Sequence, residues 1–137
     1  MYPDLAGKRV AITGGASGIG LATAFRFVQE GSRVVILDRD AAALEGARLE
    51  LPGVELFLET DVADPGRVAS AFHAIDARLG GIDILISNAG ISVRSAFTEI
   101  TPEQWSTVLG VNLAGMFLCA REASQRMKSG GVILMTA

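Results

Sequence analysis

The sequence holds one cysteine, one histidine, one tyrosine and one tryptophan among 137 residues. A lone cysteine, Cys119, closes no internal disulfide. It falls in a helical apolar pattern, which reads as a buried reduced thiol rather than a nucleophile. The single histidine, His73, lies off the inward face of its helix and reads as solvated. With no His/Cys/Asp/Glu cluster at ligand spacing, no metal site is expected. Charge of one sign is also scarce: 12 Lys and Arg against 15 Asp and Glu leave a net charge of −3. No basic stripe forms, so nucleic acid and anionic membrane are poor partners. Apolar runs are short, such as residues 34–37, or 82–86 with Asp83 inside. None approaches the ~18 residues of a membrane-spanning helix. Met1-Tyr2-Pro3-Asp4-Leu5 lacks a charged segment followed by an apolar core. No signal peptide is read, and a cytoplasmic protein is expected.

Apolar side chains, by contrast, are plentiful. Half the residues are hydrophobic and a fifth are charged, which excludes a disordered chain. The length suits one domain, residues 1–137, with a core that needs no disulfide or metal. Sixteen glycines exceed the usual share of about 7% without a collagen-like period, so they must have local tasks.

Strand and helix patterns alternate. Residues 9–13 read as a buried strand, and a glycine-rich turn leads into a helix over 18–30. Leu21, Ala24, Phe25 and Val28 share one face of it, and Gly31 stops it. A second strand, 34–37, ends at Asp38. A helix over 40–51 buries Ala43, Leu44, Ala47 and Leu51, and Pro52-Gly53 ends it. A third strand covers 54–58. Asp64-Pro65 supplies an N-cap and a proline at the first helical position, and that helix turns Val68, Ala71, Phe72, Ile75 and Leu79 inward. Gly80-Gly81 leads to a fourth strand, 82–87, and then a loop from Asn88 to about Ile100. Thr101-Pro102-Glu103-Gln104 caps a long helix, 102–128. Its main apolar stripe reads Trp105, Val108, Leu109, Leu113, Met116, Phe117, Ala120 and Met127, with Val111 and Leu118 off it. Residues 132–135 form a fifth strand. Five continuous apolar strands separated by helices predict a parallel sheet covered on both faces. The fold class is α/β, a Rossmann-type doubly wound sheet with strand order 3-2-1-4-5.

The first strand runs into Thr13-Gly14-Gly15-Ala16-Ser17-Gly18-Ile19-Gly20. Glycines let a backbone turn tightly and approach a pyrophosphate, and the following helix points free N–H groups at the anion. The spacing is T-G-x-x-x-G-x-G, not the common G-x-G-x-x-G. The bland alternative is a sharp turn with close packing. Asp38, at the end of the second strand, is placed to accept both ribose hydroxyls of an adenosine and to repel a 2′-phosphate. A plain N-cap for the next helix is its other reading. Arg39 works the other way, since an arginine near the 2′ position accommodates NADP. On balance NAD is expected over NADP.

These motifs resemble the short-chain dehydrogenase/reductase family, in register through all 137 residues. The resemblance implies cofactor-binding roles for Gly14, Ser17, Gly18, Ile19, Gly20, Asp38 and Arg39. It implies that Asp61-Val62 meets the adenine, with a plain cap as the alternative for Asp61. It implies that Asn88-Ala89-Gly90 stabilises the central sheet and lines the ribose and nicotinamide side. Ser87 stands where the family often has a further asparagine. Asn112 resembles the family's asparagine that holds a proton-relay water. A buried asparagine satisfied by neighbouring backbone is an equal reading.

Hydride transfer to a carbonyl needs a proton donor. The family supplies it from a serine, a tyrosine and a lysine four residues after the tyrosine. Here Tyr2 stands at a disordered-looking N-terminus with Ala6 four residues on, and neither Lys8 nor Lys128 follows a tyrosine at that spacing. The expectation is an NAD(H)-binding portion of an oxidoreductase acting on an alcohol or carbonyl substrate. It is truncated relative to the family and does not turn over alone. A stand-alone non-catalytic dinucleotide-binding or self-associating module is the alternative, and a methyltransferase-like adenosine binder a remote third. An apolar edge strand and a helix apolar on more than one side predict self-association.

Overall fold

Five short segments of aliphatic residues pair into one parallel sheet in the order β3-β2-β1-β4-β5. The structure is a computed structural model and describes residues 1–137. The strands are β1 (Arg9–Thr13), β2 (Arg33–Asp38), β3 (Leu56–Glu59), β4 (Ile84–Ser87) and β5 (Val132–Met135). The helices are α1 (Gly18–Gln29), α2 (Ala41–Glu50), α3 (Pro65–Leu79), α4 (Pro102–Leu109) and α5 (Gly115–Ser124). The register pairs Val10 with Val34 and Ile84, so both neighbours of β1 run parallel to it. This is the Rossmann-type order that the alternating pattern predicts.

Each face of the sheet carries its own core. On one face, Ala11, Val35, Leu37 and Leu85 pack with α3 and α5 through Phe72, Ile75, Leu118 and Cys119. On the other, Val10, Ile12, Val34 and Ile36 pack with α1 and α2 through Ala24, Leu44 and Ala47. Burial pushes the Cys119 thiol up to about 12, with Glu122 adding to the effect. At the start of the strands the sheet is tied by charge. Arg9 meets Asp83 through two side-chain hydrogen bonds at 2.9 and 2.7 Å. Arg33 meets Glu55 in the same two-pronged way, at 2.7 and 3.0 Å, and Arg78 joins Glu55 at 3.1 Å.

The structure differs from the sequence pattern at four places. On α1, Gly20 and Ala24 face the core and Phe25 is exposed. Asp40, not Asp38, caps α2, by accepting the Ala43 N–H at 3.0 Å. The N-terminus is not loose: the Tyr2 N–H donates to Glu30 at 2.6 Å, and the Arg26 guanidinium lies 5.5 Å from the Tyr2 ring.

The fourth difference concerns the long helix. It runs from Pro102 to Ser124 but carries a π-helical segment, Gly110–Ala114, in its middle. Its buried face is Val111, Gly115, Leu118, Cys119 and Ala123, while Trp105, Leu109, Leu113 and Phe117 are exposed. The reason is close approach. A Cβ on Gly115 would lie 2.7 Å from the Val62 side chain and 3.3 Å from the Val62 carbonyl oxygen. Glycine is therefore needed at 115 on the sheet side, and the row of Trp105, Leu109, Leu113 and Phe117 is left outside. No helix is long and apolar enough to cross a membrane.

Candidate functional site

In a parallel sheet the C-terminal ends of the strands share one edge, and here the turns that leave it converge. The turns after β1, β2, β3 and β4 surround a cleft of about 440 Å³. It is lined by Gly14, Ser17, Gly18 and Ile19 from the first turn, Asp38 and Arg39 from the second, Asp61 and Val62 from the third, and Asn88, Ala89 and Gly90 from the fourth. Eleven of the residues singled out in the sequence thus meet at one cleft. Gly20 and Asn112 lie behind it rather than on its surface.

The glycine turn is built for closeness. A side chain at Gly20 would strike the Gly14 carbonyl oxygen, so the α1 start presses directly on the turn. Ser17 occupies the N-cap position, but its side chain makes no capping hydrogen bond. The main-chain N–H groups of Ser17, Gly18, Ile19 and Gly20 have no partner within the protein. Unpaired donors at a helix start, with the positive end of the helix dipole behind them, form a site for an anion.

The other turns are braced around it. Thr13, fully buried at the end of β1, accepts the N–H groups of both Asn88 and Ala89 at 3.0 Å on its hydroxyl. The Asn88 side-chain amide donates to the Gly14 carbonyl at 3.3 Å. Asp38 accepts the Ala16 N–H on one oxygen and the Asp40 N–H on the other, each at 3.1 Å. It therefore ties the glycine turn to the start of α2. A carboxylate has about four acceptor positions, so lone pairs remain for a ligand. Asp61 accepts the Ala63 N–H at 2.9 Å on one oxygen. Arg39 is exposed at the rim among Asp38, Asp40 and Asp61. The local balance at that end of the cleft is acidic.

Asn112 lies in the π-helical segment. Both ends of its amide are engaged by the main chain of Ile91, at 2.8 and 2.9 Å. These contacts tie the loop after Gly90 to the long helix.

The sequence reading did not single out Asp40, Ala43, Thr60, Ile91 and Val111, which also line the cleft. Asp40 and Thr60 follow the ends of β2 and β3, and that position was the available signal. Ile91 and Val111 are brought in by the Asn112 contact, which leaves no local sequence mark. No group of three or more His, Cys, Asp or Glu side chains is arranged to hold a metal ion.

Comparison with known proteins agrees with this architecture. A family model described as short chain dehydrogenase matches residues 8–137. An NADP-dependent (R)-specific alcohol dehydrogenase of Lentilactobacillus kefiri is 38% identical over 134 residues, which cover 96% of this chain and 53% of that protein. A short-chain type dehydrogenase/reductase from Mycobacterium marinum superposes with a TM-score of 0.91 at 34% identity, over 97% of this chain and 56% of that one. A 3-ketoacyl-(acyl-carrier-protein) reductase from Brucella melitensis, solved in complex with NADH, superposes with a TM-score of 0.84 at 35% identity, over 89% of this chain and 51% of that one. The chain spans about half the length of each of these three proteins. With the glycine turn, the strand order and this match along nearly its whole length, the chain belongs to the short-chain dehydrogenase family.

Proposed function

We propose that residues 1–137 are the dinucleotide-binding portion of an oxidoreductase that moves a hydride between a nicotinamide cofactor and an alcohol or carbonyl substrate. The observation that carries this reading is the unpaired N–H row at Ser17 to Gly20, opening into a cleft walled by Asp38, Asp61 and Asn88. A pyrophosphate fits the N–H row. An adenosine fits the end formed by Asp38, Arg39, Asp61 and Val62, and the nicotinamide side falls to Asn88, Ala89 and Gly90. When bound, the nicotinamide supplies the hydride chemistry. The chain's own residues hold and orient it.

Two of the three named proteins bear on the choice of cofactor in opposite directions, one being NADP-dependent and one holding NADH. The acidic rim favours NAD(H), because Asp38 and Asp40 disfavour a 2′-phosphate more than the single Arg39 attracts it. The 137 residues contain no Tyr-x-x-x-Lys, and Ala6 stands four residues after the single tyrosine, Tyr2. Taken alone, the chain binds the cofactor without turnover.

Calorimetric titration with NADH and NADPH tests the binding reading, and cofactor absorbance with a panel of alcohols and ketones tests turnover. Tighter binding of NADH and no absorbance change are expected. Absence of binding by either cofactor overturns the reading, and turnover by this chain overturns the second half. The exposed row Trp105, Leu109, Leu113 and Phe117, together with the exposed strand Val132–Met135, supports self-association alongside cofactor binding.

A further inference from the structure

The Asn88 side chain sits at the centre of the cleft edge, between three strands. On one side its Nδ2 packs into the space left by two glycines. A Cβ on Gly14 would lie 3.3 Å from it, and a Cβ on Gly20 would lie 2.8 Å from it. Nδ2 donates to the Gly14 carbonyl at 3.3 Å. On the other side, Oδ1 accepts from the Thr136 hydroxyl at 3.3 Å. That hydroxyl is shared with the Ser87 carbonyl at 3.4 Å, while the Thr136 main-chain N–H holds the same carbonyl at 3.1 Å.

A carboxamide is nearly symmetric in shape, so its partners decide its orientation. The Gly14 group that meets the side chain is its carbonyl oxygen, which requires the amide nitrogen. This leaves Oδ1 pointing away from the turn, where Thr136 is the one donor in reach. A single contact at 3.3 Å lets the amide plane pivot. Two contacts, one at each end, hold it. A pivoted amide would place oxygen against the Gly14 carbonyl, or drive its bulk into the gap at Gly20.

We propose that Thr136 is a positioning residue for the dinucleotide site: its hydroxyl locks the Asn88 amide, and the amide in turn holds the glycine turn by Gly14 and Gly20. The proposal rests on the dinucleotide reading above for its effect on affinity. The line of contacts runs from the residue after β5, through the residue after β4, to the residue after β1. The last residues of this chain are thereby linked to the phosphate end of the cleft.

The test uses the 137-residue chain with Thr136→Val, Thr136→Ser and Asn88→Ala, and the Thr136→Val/Asn88→Ala pair. Circular dichroism checks folding, and Thr136→Ala stands in if the valine variant does not fold. NADH affinity is read by calorimetry, and water exchange of the Asn88 side-chain amide protons by NMR. Loss of one such contact predicts about three- to tenfold weaker NADH binding for Thr136→Val. Thr136→Ser, which keeps the hydroxyl, restores both affinity and slow exchange. In the Asn88→Ala background the valine adds no further loss.

Wild-type affinity in Thr136→Val overturns the proposal. So does an equal loss in the serine variant, or losses that add in the pair, because Thr136 would then act through β5 and not through Asn88. If wild type binds neither NADH nor NADPH, the cofactor reading fails instead. The exchange measurement still decides the lock: unchanged exchange in Thr136→Val overturns it, and faster exchange restored by serine upholds it.

Discussion

Asn112 grips Ile91 at both of its main-chain groups. Oδ1 accepts the Ile91 N–H at 2.8 Å, and Nδ2 donates to the Ile91 carbonyl at 2.9 Å. The side chain thus pairs with a loop residue much as a strand would, and fastens the segment after Asn88-Ala89-Gly90 to the long helix. The contact sits where the helix widens into its π-helical segment, Gly110–Ala114. Such bulges are frequent at functional sites. Asn112→Leu keeps roughly the shape but leaves the N–H and the carbonyl of Ile91 without partners. A loss of about 2–6 kcal/mol of stability is expected, from ~1–3 kcal/mol for each of the two orphaned groups. Urea unfolding at unchanged m-value checks it. A variant as stable as wild type would show that water replaces both contacts.

Gly20→Ala tests the closeness of the phosphate turn. The added methyl would strike the Gly14 carbonyl oxygen and crowd the Asn88 amide. The turn must then open or α1 must retreat. Overpacking of this kind costs about 1–3 kcal/mol. NADH affinity should fall more than about tenfold, because the donor row is displaced from a charged ligand. Calorimetry reads the affinity, and circular dichroism separates it from unfolding. Unaltered binding would remove Gly20 from any role in shaping the site.

The sequence exposed some of this architecture and hid the rest for physical reasons. Helix α3 was legible because its inward face is made of large apolar residues at regular spacing. Val68, Ala71, Phe72, Ile75 and Leu79 are all buried. The cleft was legible because Gly14, Asp38, Asp61 and Asn88 each follow a strand end, and parallel strands bring those ends together. The face of the long helix was not legible. Hydrophobic periodicity weights large side chains, whereas contact with Val62 selects glycine at 115, at the centre of the buried face. The π-helical segment left no mark that the pattern could show. Asp38 carries two readings in the sequence, ribose acceptor or helix cap, because aspartates 38 and 40 both stand before the helix; the structure gives the cap to Asp40, which reaches Ala43. The Asp83–Arg9 pair was invisible because its members lie 74 residues apart.

Acid should weaken the fold through that pair. The hydrogen bonds from the Arg9 side chain lower the Asp83 carboxyl from the ordinary 3.8 to about 2, with the Arg9 main-chain N–H and charge adding to the effect. A carboxyl lowered on folding contributes its full stability above its unfolded value and loses it as pH falls through the folded value. The window is therefore about pH 4 down to about pH 2. The shift corresponds to roughly 2–3 kcal/mol, at about 1.4 kcal/mol for each step of one in pKa. Glu55, lowered chiefly by its Arg33 hydrogen bonds, works in the same direction. Urea unfolding at pH 6 and pH 3 (about the middle of the window) should show a steeper acid loss in wild type than in Asp83→Asn. Equal losses would mean that Asp83 does not govern the acid response.

Cofactor choice should turn on one charge. Asp38 faces the rim beside Arg39, with Asp40 and Asp61 nearby. Asp38→Asn keeps the side-chain size and one acceptor oxygen but removes the negative charge. NADPH affinity should rise and NADH affinity fall, for a combined change in preference of about tenfold or more, since one point-charge contact is worth ~1.5–3 kcal/mol. The asparagine retains an acceptor for only one of the two N–H groups that Asp38 holds, so a melting curve accompanies the titration. A preference for NADH equal to wild type would place discrimination elsewhere than Asp38.

The outward row of the long helix gives the last prediction. Trp105, Leu109, Leu113 and Phe117 follow one another at four-residue spacing and are 58, 36, 63 and 59% exposed. Residues four apart lie on one side of a helix, so these four form an apolar strip, and the strand Val132–Met135 is exposed as well. Large apolar strips of this kind are uncommon on monomers. A second copy of the chain meeting the strip about a two-fold axis would cover both strips at once, since such an interface uses the same patch twice. Leu113 lies at the middle of the row and outside the cleft. Leu113→Lys places a charge there without touching the sheet-facing residues Val111, Gly115 and Leu118. Sedimentation velocity should show a concentration-dependent mass for wild type and a monomer for the variant, with NADH affinity the same in both. A monomeric wild type, or an assembly that survives Leu113→Lys unchanged, would exclude the helix row as the contact.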